Sequence, residues 1–467
     1  MSEQDDLDKV LHDMQLPYTL TQIQYEDTLY CIQSERFGLF NGVGCGKTVC
    51  TTAAALVWDN DHNVVIMPPI LLPQWARWLK KVGQPDVSIY AGPRRTQDML
   101  DHRWVLMSHS IFRDSFNTIR DFYKGKRASL LVDEAQALKN PESKLFRYSR
   151  MFVEPDRNCV LMTGTPTSKP EDTYAYMKIK TPQQYRSFGH WENLHVGSRN
   201  IFKQITSYCN LELLADAFAL KSVKRTKKEI FGSNLDPIWQ EKPYNLSPAH
   251  QKLYNKLAEE QLLLLPDGGK IDATTAQKLR HALQQVVVNL ANFSGNPDDR
   301  STSYDLVDEA IEETEPMNKN NAKLVIWTYY KMTSRNLTAY LKSKFGDEAI
   351  VAAYSETDSA KAVDRIMFDD TARMMVAQPT SVGAGLELQH VCHTMLFLEQ
   401  STTPMHTRQA AGRVDRPGQT VRPTLWFGQA QGTIQVALFN DLLKNDDLVS
   451  IVERNKKTLR DEIFGRV

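Results

Sequence analysis

The stretch RFGLFNGVGCGKTVCTTAAAL, residues 36–56, limits the possible folds more than any other part of this chain. A short apolar run leads into a loop holding Gly42, Gly44 and Gly46, and the loop runs directly into an alanine-rich segment of high helix propensity. Strand, glycine turn and helix in that order belong to a parallel α/β sheet, and the glycines let backbone N–H groups come close to a phosphate. Lys47 then brings a positive charge to the β- and γ-phosphates of a bound nucleotide, and the Thr48 hydroxyl at the helix start can hold a Mg²⁺ ion. The strict form of such a loop has glycine where Asn41 stands. Cys45, inside the loop and near a helix N-terminus, is either a reactive thiol or a small filler.

A second segment, SLLVDEAQALKN, ends an apolar run in adjacent carboxylates. At the carboxyl end of a parallel strand Asp133 can reach the magnesium ion while Glu134 orients or deprotonates a water. An Asp-Glu pair there also suits a helix N-terminus. The glycine loop upstream favours the catalytic alternative.

The same strand rhythm recurs twice. RFGLF, NVVIMPP, WVLMSH, SLLVDEA and NCVLMTG form one series, and KLVIWTYY, AIVAAYS, RMMVAQP, HTMLFLEQ and TLWFGQA form another. Each run is bounded by turn-forming residues and separated from the next by enough chain for a helix, which predicts an α/β fold of two lobes with parallel sheets. Between them, helical periodicity in SPAHQKLYNKLAEEQLLLL and TTAQKLRHALQQVVVNLANF predicts a helical insertion. EAIEETEPMNKNNAK is the expected flexible linker. The expected division is residues 1–234, an insertion and linker over 235–320, and residues 321–467 ending in a C-terminal helix. A chain of 467 residues is long enough for two or three domains.

Lys+Arg and Asp+Glu both total 56, so any nucleic acid must be held by a local groove. Six cysteines without a C-x-x-C pair argue against a disulfide framework or a structural zinc site, and suit a reducing cytosol. The acidic start MSEQDDLDKV lacks the order of a secretory signal, and VVIMPPILLP is too short and too proline-rich to span a bilayer.

In sequence order the motifs resemble those of the Swi/Snf-type ATPases of helicase superfamily two, DNA-dependent motors built on two RecA-like lobes. LTQIQYED resembles the adenine-recognition motif, with Gln24 in the glutamine position. GVGCGKT is similar to motif I, where that superfamily requires only the later G-x-G-K-T. VVIMPPILLPQWARWLKK resembles motif Ia, VLMSHSIF the next strand-loop element, VDEAQ motif II and LMTGTPTSKP motif III. SVKRTKKEI resembles the basic segment that closes the first lobe. LVIWTYYKMT is similar to motif IV, PTSVGAGLELQ to motif V and QAAGRVDRPGQT to motif VI.

The resemblance implies that Gln24, Gly44, Cys45, Gly46, Lys47, Thr48, Gly385 and Gln409 bind ATP. Asp133 and Thr48 would hold Mg²⁺, and Lys47, Asp133, Glu134, Gln136, Arg413 and Arg416 would act in hydrolysis. The two arginines would serve as fingers on the γ-phosphate, each a planar fork of donors aimed at charge that develops in phosphoryl transfer. DNA would lie across both lobes, against Pro69 and Gln74, Ser108 and His109, and Thr380 and Ser381. Trp75 and Trp78 are at a spacing that suits base stacking, but core packing is the favoured reading. The basic run KSVKRTKKE is either a DNA contact or a solvated helix face. Gln136 stands where the family usually has His, and Glu387 where it more often has Asn or Asp.

The expected function is therefore that of an ATP-dependent motor moving along duplex or branched DNA with weak sequence preference. Compact bacterial or phage members are the nearest in kind, which implies the cytoplasm of a bacterium or of a phage-infected host, no membrane, and an unknown protein recruiter. The alternatives are a strand-separating helicase and a nucleotide-binding scaffold without productive hydrolysis.

Overall fold

The computed structural model describes residues 2–443 except 15, 17, 43, 155, 233–236, 265–269, 274, 297–298, 319–321, 383–387, 402–403 and 416–420. The chain divides into two compact units with the boundary at residues 233/234.

The first unit is organised by a sheet of seven parallel strands. They are β1 (Arg36–Leu39), β2 (His62–Met67), β3 (Val87–Ile89), β4 (Trp104–Ser108), β5 (Ala128–Asp133), β6 (Cys159–Met162) and β7 (Ser222–Val223), in the order β3-β4-β2-β5-β6-β1-β7. Every residue of β2 and β4 is buried. That burial on both faces is why these strands read as continuous apolar runs rather than as an alternation. Aromatic side chains fill much of the core on one face, among them Phe112, Phe116, Tyr123, Phe152, Tyr176 and Trp191. Lys180 is buried with them; its Nζ donates to the carbonyls of Phe218 and Leu220 and to Ser222, which ties the helix Thr173–Lys180 to the edge strand β7.

The second unit has six parallel strands, β8 (Ile238–Tyr244), β9 (Leu324–Trp327), β10 (Ile350–Ala353), β11 (Met374–Ala377), β12 (Thr394–Phe397) and β13 (Thr424–Ala430), in the order β8-β13-β12-β9-β11-β10. Both sheets are parallel, as the strand rhythm requires. The expected insertion at 235–320 is corrected here. Seven residues of it, β8, pair in register with β13 from Ile238↔Thr424 to Tyr244↔Ala430. Its helices Pro248–Glu260, Ala276–Val288 and Ser303–Thr314 share one core with strand residues Leu324, Ile326, Met374, Val376, Leu396 and Trp426. The expected linker EAIEETEPMNKNNAK likewise begins inside the helix Ser303–Thr314, with Ala310 and Ile311 buried. IWQEKPY does not look like a strand because it is an edge strand, where Gln, Glu and Lys are tolerated and Pro243 need not complete a ladder on its outer side. The expected C-terminal helix falls partly on residues 444–467, outside the described residues; the helix Ile434–Leu443 precedes them.

Glu399, just past β12, is 3% exposed and accepts hydrogen bonds from the backbone N–H groups of Tyr329 (2.8 Å) and Tyr330 (3.0 Å) and from the Thr333 hydroxyl (2.5 Å). Burial nevertheless pushes its carboxyl from the usual 4.5 up to about 7, against those three bonds. Since the folded state holds this proton more tightly than the unfolded chain does, the contribution is complete below 4.5 and is lost as pH rises through about 7. We expect urea unfolding to show a loss of up to about 3 kcal/mol between about pH 5 and pH 8 from this group. That part of the slope should be missing in Glu399→Gln; an unchanged slope would mean that Glu399 does not carry it.

No helix among the described residues is long and apolar enough to cross a membrane.

Candidate nucleotide site

The register of three strands assembles the site. Met162 at the end of β6 pairs with Leu39 at the end of β1 on one side and with Asp133 at the end of β5 on the other. The loop 40–46, the acidic pair and the segment 163–167 therefore leave the same carboxyl edge of one sheet, where open α/β sheets hold ligands.

The loop's glycines are there for steric reasons. Gly44 and Gly46 have φ of +77° and +81°, the left-handed region, and a Cβ at Gly46 would lie 2.4 Å from Gln24 Nε2. Gly46 is the N-cap of the helix Lys47–Trp58 and makes no side-chain cap bond, a helix start that suits an anion. Gln24 is 3% exposed; its Nε2 donates to the Cys45 carbonyl (3.2 Å) and its Oε1 accepts from Thr21 N–H (3.0 Å). It thus sits at the loop, with both ends of its amide engaged by main chain. Lys47 Nζ donates to the carbonyls of Asn41 (2.8 Å) and Gly42 (2.9 Å). Cys45 is fully buried, and a Cβ at Gly42 would lie 3.4 Å from its sulfur, which fits a filler.

Asn41 has a structural reason. Its Nδ2 donates to Asp27 Oδ2 (2.9 Å) and its Oδ1 accepts from Arg225 N–H (2.8 Å), while Gly42 N–H donates to the Arg225 carbonyl (2.9 Å). The Arg225 guanidinium pairs with Asp27 at 3.4 Å. Burial raises the pKa of Asp27, opposed by Asn41 and Arg225. Part of the basic run KSVKRTKKE is therefore a brace for the loop. Asp27 and Arg225 went unrecognised in the sequence because nothing local marks them as partners.

At the end of β5, Asp133 Oδ1 accepts from Glu134 N–H (2.9 Å) and Oδ2 accepts from Trp75 Nε1–H (2.8 Å). Burial, then the neighbouring charge of Glu134, pushes Asp133 up to about 6; the Trp75 hydrogen bond and Lys47 act in the other direction. Lys47 is therefore close enough to Asp133 to be felt, and the two motifs converge. Glu134 takes a left-handed backbone, φ 51°, and its Oε2 accepts from Gln136 Nε2 (2.7 Å). Gln136 Oε1 is buried with no hydrogen-bond partner among the described residues. The hard oxygens of Thr48 and Asp133 are of the kind Mg²⁺ takes.

Two of the expected DNA contacts, Ser108 and His109, are engaged by other groups of the protein. Ser108 is 2% exposed; its hydroxyl accepts from Ile111 N–H (3.1 Å) as a helix cap and bonds Ser110 (2.9 Å), which leaves no exposed hydroxyl for a phosphate. His109 Nε2 bonds the Asp133 carbonyl (2.9 Å), and burial pushes its pKa down to about 4. Pro69 is exposed at the start of a 3-10 turn after β2, and Gln74 is half-buried on the helix Leu72–Lys81. Trp75 is 2% exposed, and Trp78 donates to Thr52 (3.1 Å), in line with packing rather than stacking.

In the second unit Thr380 is exposed and Ser381 half-buried in the turn after β11. Gln409 is half-buried on the helix Pro404–Ala411, and Arg413, just beyond it, is 5% exposed. Gly385, Glu387 and Arg416 lie outside the described residues.

The SNF2-related domain family matches residues 11–292. The chain belongs to this family. This SNF2-related chain is accordingly a nucleotide-binding, ATP-hydrolysing enzyme of helicase superfamily two. It is 20% identical over 421 residues to the human (Homo sapiens) DNA annealing helicase and endonuclease ZRANB3, covering 86% of this chain and 37% of that protein. The chain thus spans little more than a third of that relative's length. To the ATP-dependent helicase YqhH of Bacillus subtilis it is 22% identical, covering 82% of this chain and 70% of that one. Among solved structures it is similar to the Sulfolobus solfataricus SWI2/SNF2 ATPase core in complex with dsDNA, at 19% identity and a TM-score of 0.42, with 97% of this chain and 98% of that one covered.

Proposed function

We propose that this SNF2-related ATPase is a motor that couples ATP hydrolysis to movement along duplex or branched DNA. The reading is supported above all by the register that aligns Leu39, Met162 and Asp133, since it gathers the glycine loop, Lys47 and the carboxylates at one sheet edge. In this reading the loop amides and Lys47 bind the phosphates, and Gln24 stands at the loop for the base. Thr48 and Asp133 hold Mg²⁺, which when bound neutralises charge on the phosphates. Glu134 takes the proton of the attacking water, with Gln136 orienting its carboxylate. Arg413 and Arg416 supply the fork of donors that phosphoryl transfer requires, and Gly385 and Gln409 serve in nucleotide binding. Gln74, Thr380 and Ser381 hold DNA phosphates and read no bases, and Pro69 lies against the DNA without a hydrogen bond. The cell would be bacterial or phage-infected, and a recruiting protein would choose the site of action.

The test is steady-state ATP hydrolysis with no DNA, single strands, duplex and branched DNA. We expect duplex or branched DNA to stimulate turnover, and the stimulation to fall steeply with salt. If about six phosphates are held, affinity should drop about a thousandfold between about 50 and 200 mM salt. Stimulation that ignores salt, or none at all, would reject DNA as the track.

Strand separation has one observation in its favour. The antiparallel hairpin of strands Val196–Arg199 and Ile205–Tyr208 presents Ile201 at 90% and Phe202 at 76% exposure beside Lys203, an apolar tip of the kind that enters base steps. Displacement of a strand from a forked substrate in the same assay would favour that reading; stimulation without displacement would favour the duplex motor.

A further inference from the structure

We infer that Trp75 is a positioning residue for phosphoryl transfer, its indole N–H holding the Asp133 carboxylate in the orientation from which it binds magnesium. The inference rests on Asp133 being the metal ligand proposed above.

The geometry is specific to the indole nitrogen. Nε1 lies 2.8 Å from Asp133 Oδ2, and the other carboxylate oxygen accepts from Glu134 N–H at 2.9 Å. Each oxygen is thereby held by one donor, which fixes the plane of the group and leaves each a lone-pair direction for a cation or its water. A half-buried carboxylate free to rotate would have to be ordered at every binding event. Held ligands are what give a metal site its affinity, and loss of such a partner typically costs ten- to a hundredfold.

Packing alone does not account for the arrangement. The helix Leu72–Lys81 begins just past the end of β2, three strands across the sheet from β1 and its glycine loop, and its Trp75 is 2% exposed. A phenylalanine would supply similar apolar area, but it has no N–H to set against a half-buried acid. The same helix provides an internal comparison, because Trp78 donates to the Thr52 hydroxyl (3.1 Å) and not to the acidic pair. One helix thus carries two indoles with different targets, and only the first meets the acidic pair.

The experiment is calorimetric titration of the full chain with AMP-PNP, with and without Mg²⁺, together with thermal melting. Trp75→Phe removes the donor. Incorporation of 3-benzothienylalanine at position 75 removes it while keeping the bicyclic shape, so packing is preserved should the phenylalanine variant fold poorly. We expect both to lose the magnesium-dependent gain in affinity by about tenfold or more. Affinity without magnesium should stay at the wild-type value, and Trp78→Phe should keep the full gain. If Asp133→Asn abolishes the gain while both position-75 variants retain it, the inference fails and the metal assignment stands. If Asp133→Asn also retains it, the metal assignment fails and takes the inference with it. An equal loss with and without magnesium would show packing alone, and would overturn the inference.

Discussion

Lys47→Ala should lower ATP turnover by about two to three orders of magnitude while the chain stays folded. The expected size is that of losing one preorganised charge from a site where charge develops in the transition state. In the structure the ammonium donates to the Asn41 and Gly42 carbonyls, so the variant also loses two local bonds of the loop. The loop keeps its brace, because Asn41 and Gly42 are also tied to Arg225, and Asn41 to Asp27. Turnover, ATP affinity and melting temperature measured on one preparation separate the two effects. Normal turnover in a folded variant would remove Lys47 from the chemistry. A large fall in melting temperature would instead show that its role is to hold the loop.

Replacing either arginine of QAAGRVDRPGQT by lysine should slow turnover by about a thousandfold or more, the scale seen for arginine fingers. Lysine keeps the charge but lacks the planar fork, so a finger is not rescued whereas a surface ion pair would be. Arg413→Lys is a better probe than Arg413→Ala, because Arg413 is 5% exposed and truncation would open a cavity in the second unit. Arg416→Lys is the parallel test of the second position. ATP affinity should change far less than turnover, and DNA binding without nucleotide should hardly move. Turnover within a few-fold of wild type in both variants would mean that the pair takes no part in hydrolysis.

The Asp133 and Glu134 environments show why the acidic pair alone was ambiguous. An Asp-Glu after a strand is equally a helix-terminus pair by sequence. The register to Met162 puts it beside the glycine loop, and Lys47 is near enough to favour the Asp133 anion. The expected DNA contacts divided in the opposite way. Ser108 and His109 follow a strand at a plausible edge, yet Ser108 caps a helix and His109 bonds a carbonyl, both committed to the protein itself.

By itself the sequence determined the α/β class, ten of the strands and the nucleotide loop. These depend on local patterns: glycines where φ is positive, apolar runs where a strand is covered on both faces, and a helix that starts without a side-chain cap. Tertiary structure alone decided that IWQEKPY is an edge strand, that Asn41 is clamped between Asp27 and Arg225, and that Trp75 meets Asp133. Trp75 and Asp133 are 58 residues apart, and Asn41 and Arg225 are 184 apart. Polar pairings over such distances leave no periodicity in the chain, because each side chain is chosen for one partner that only the folded sheet brings within hydrogen-bonding reach.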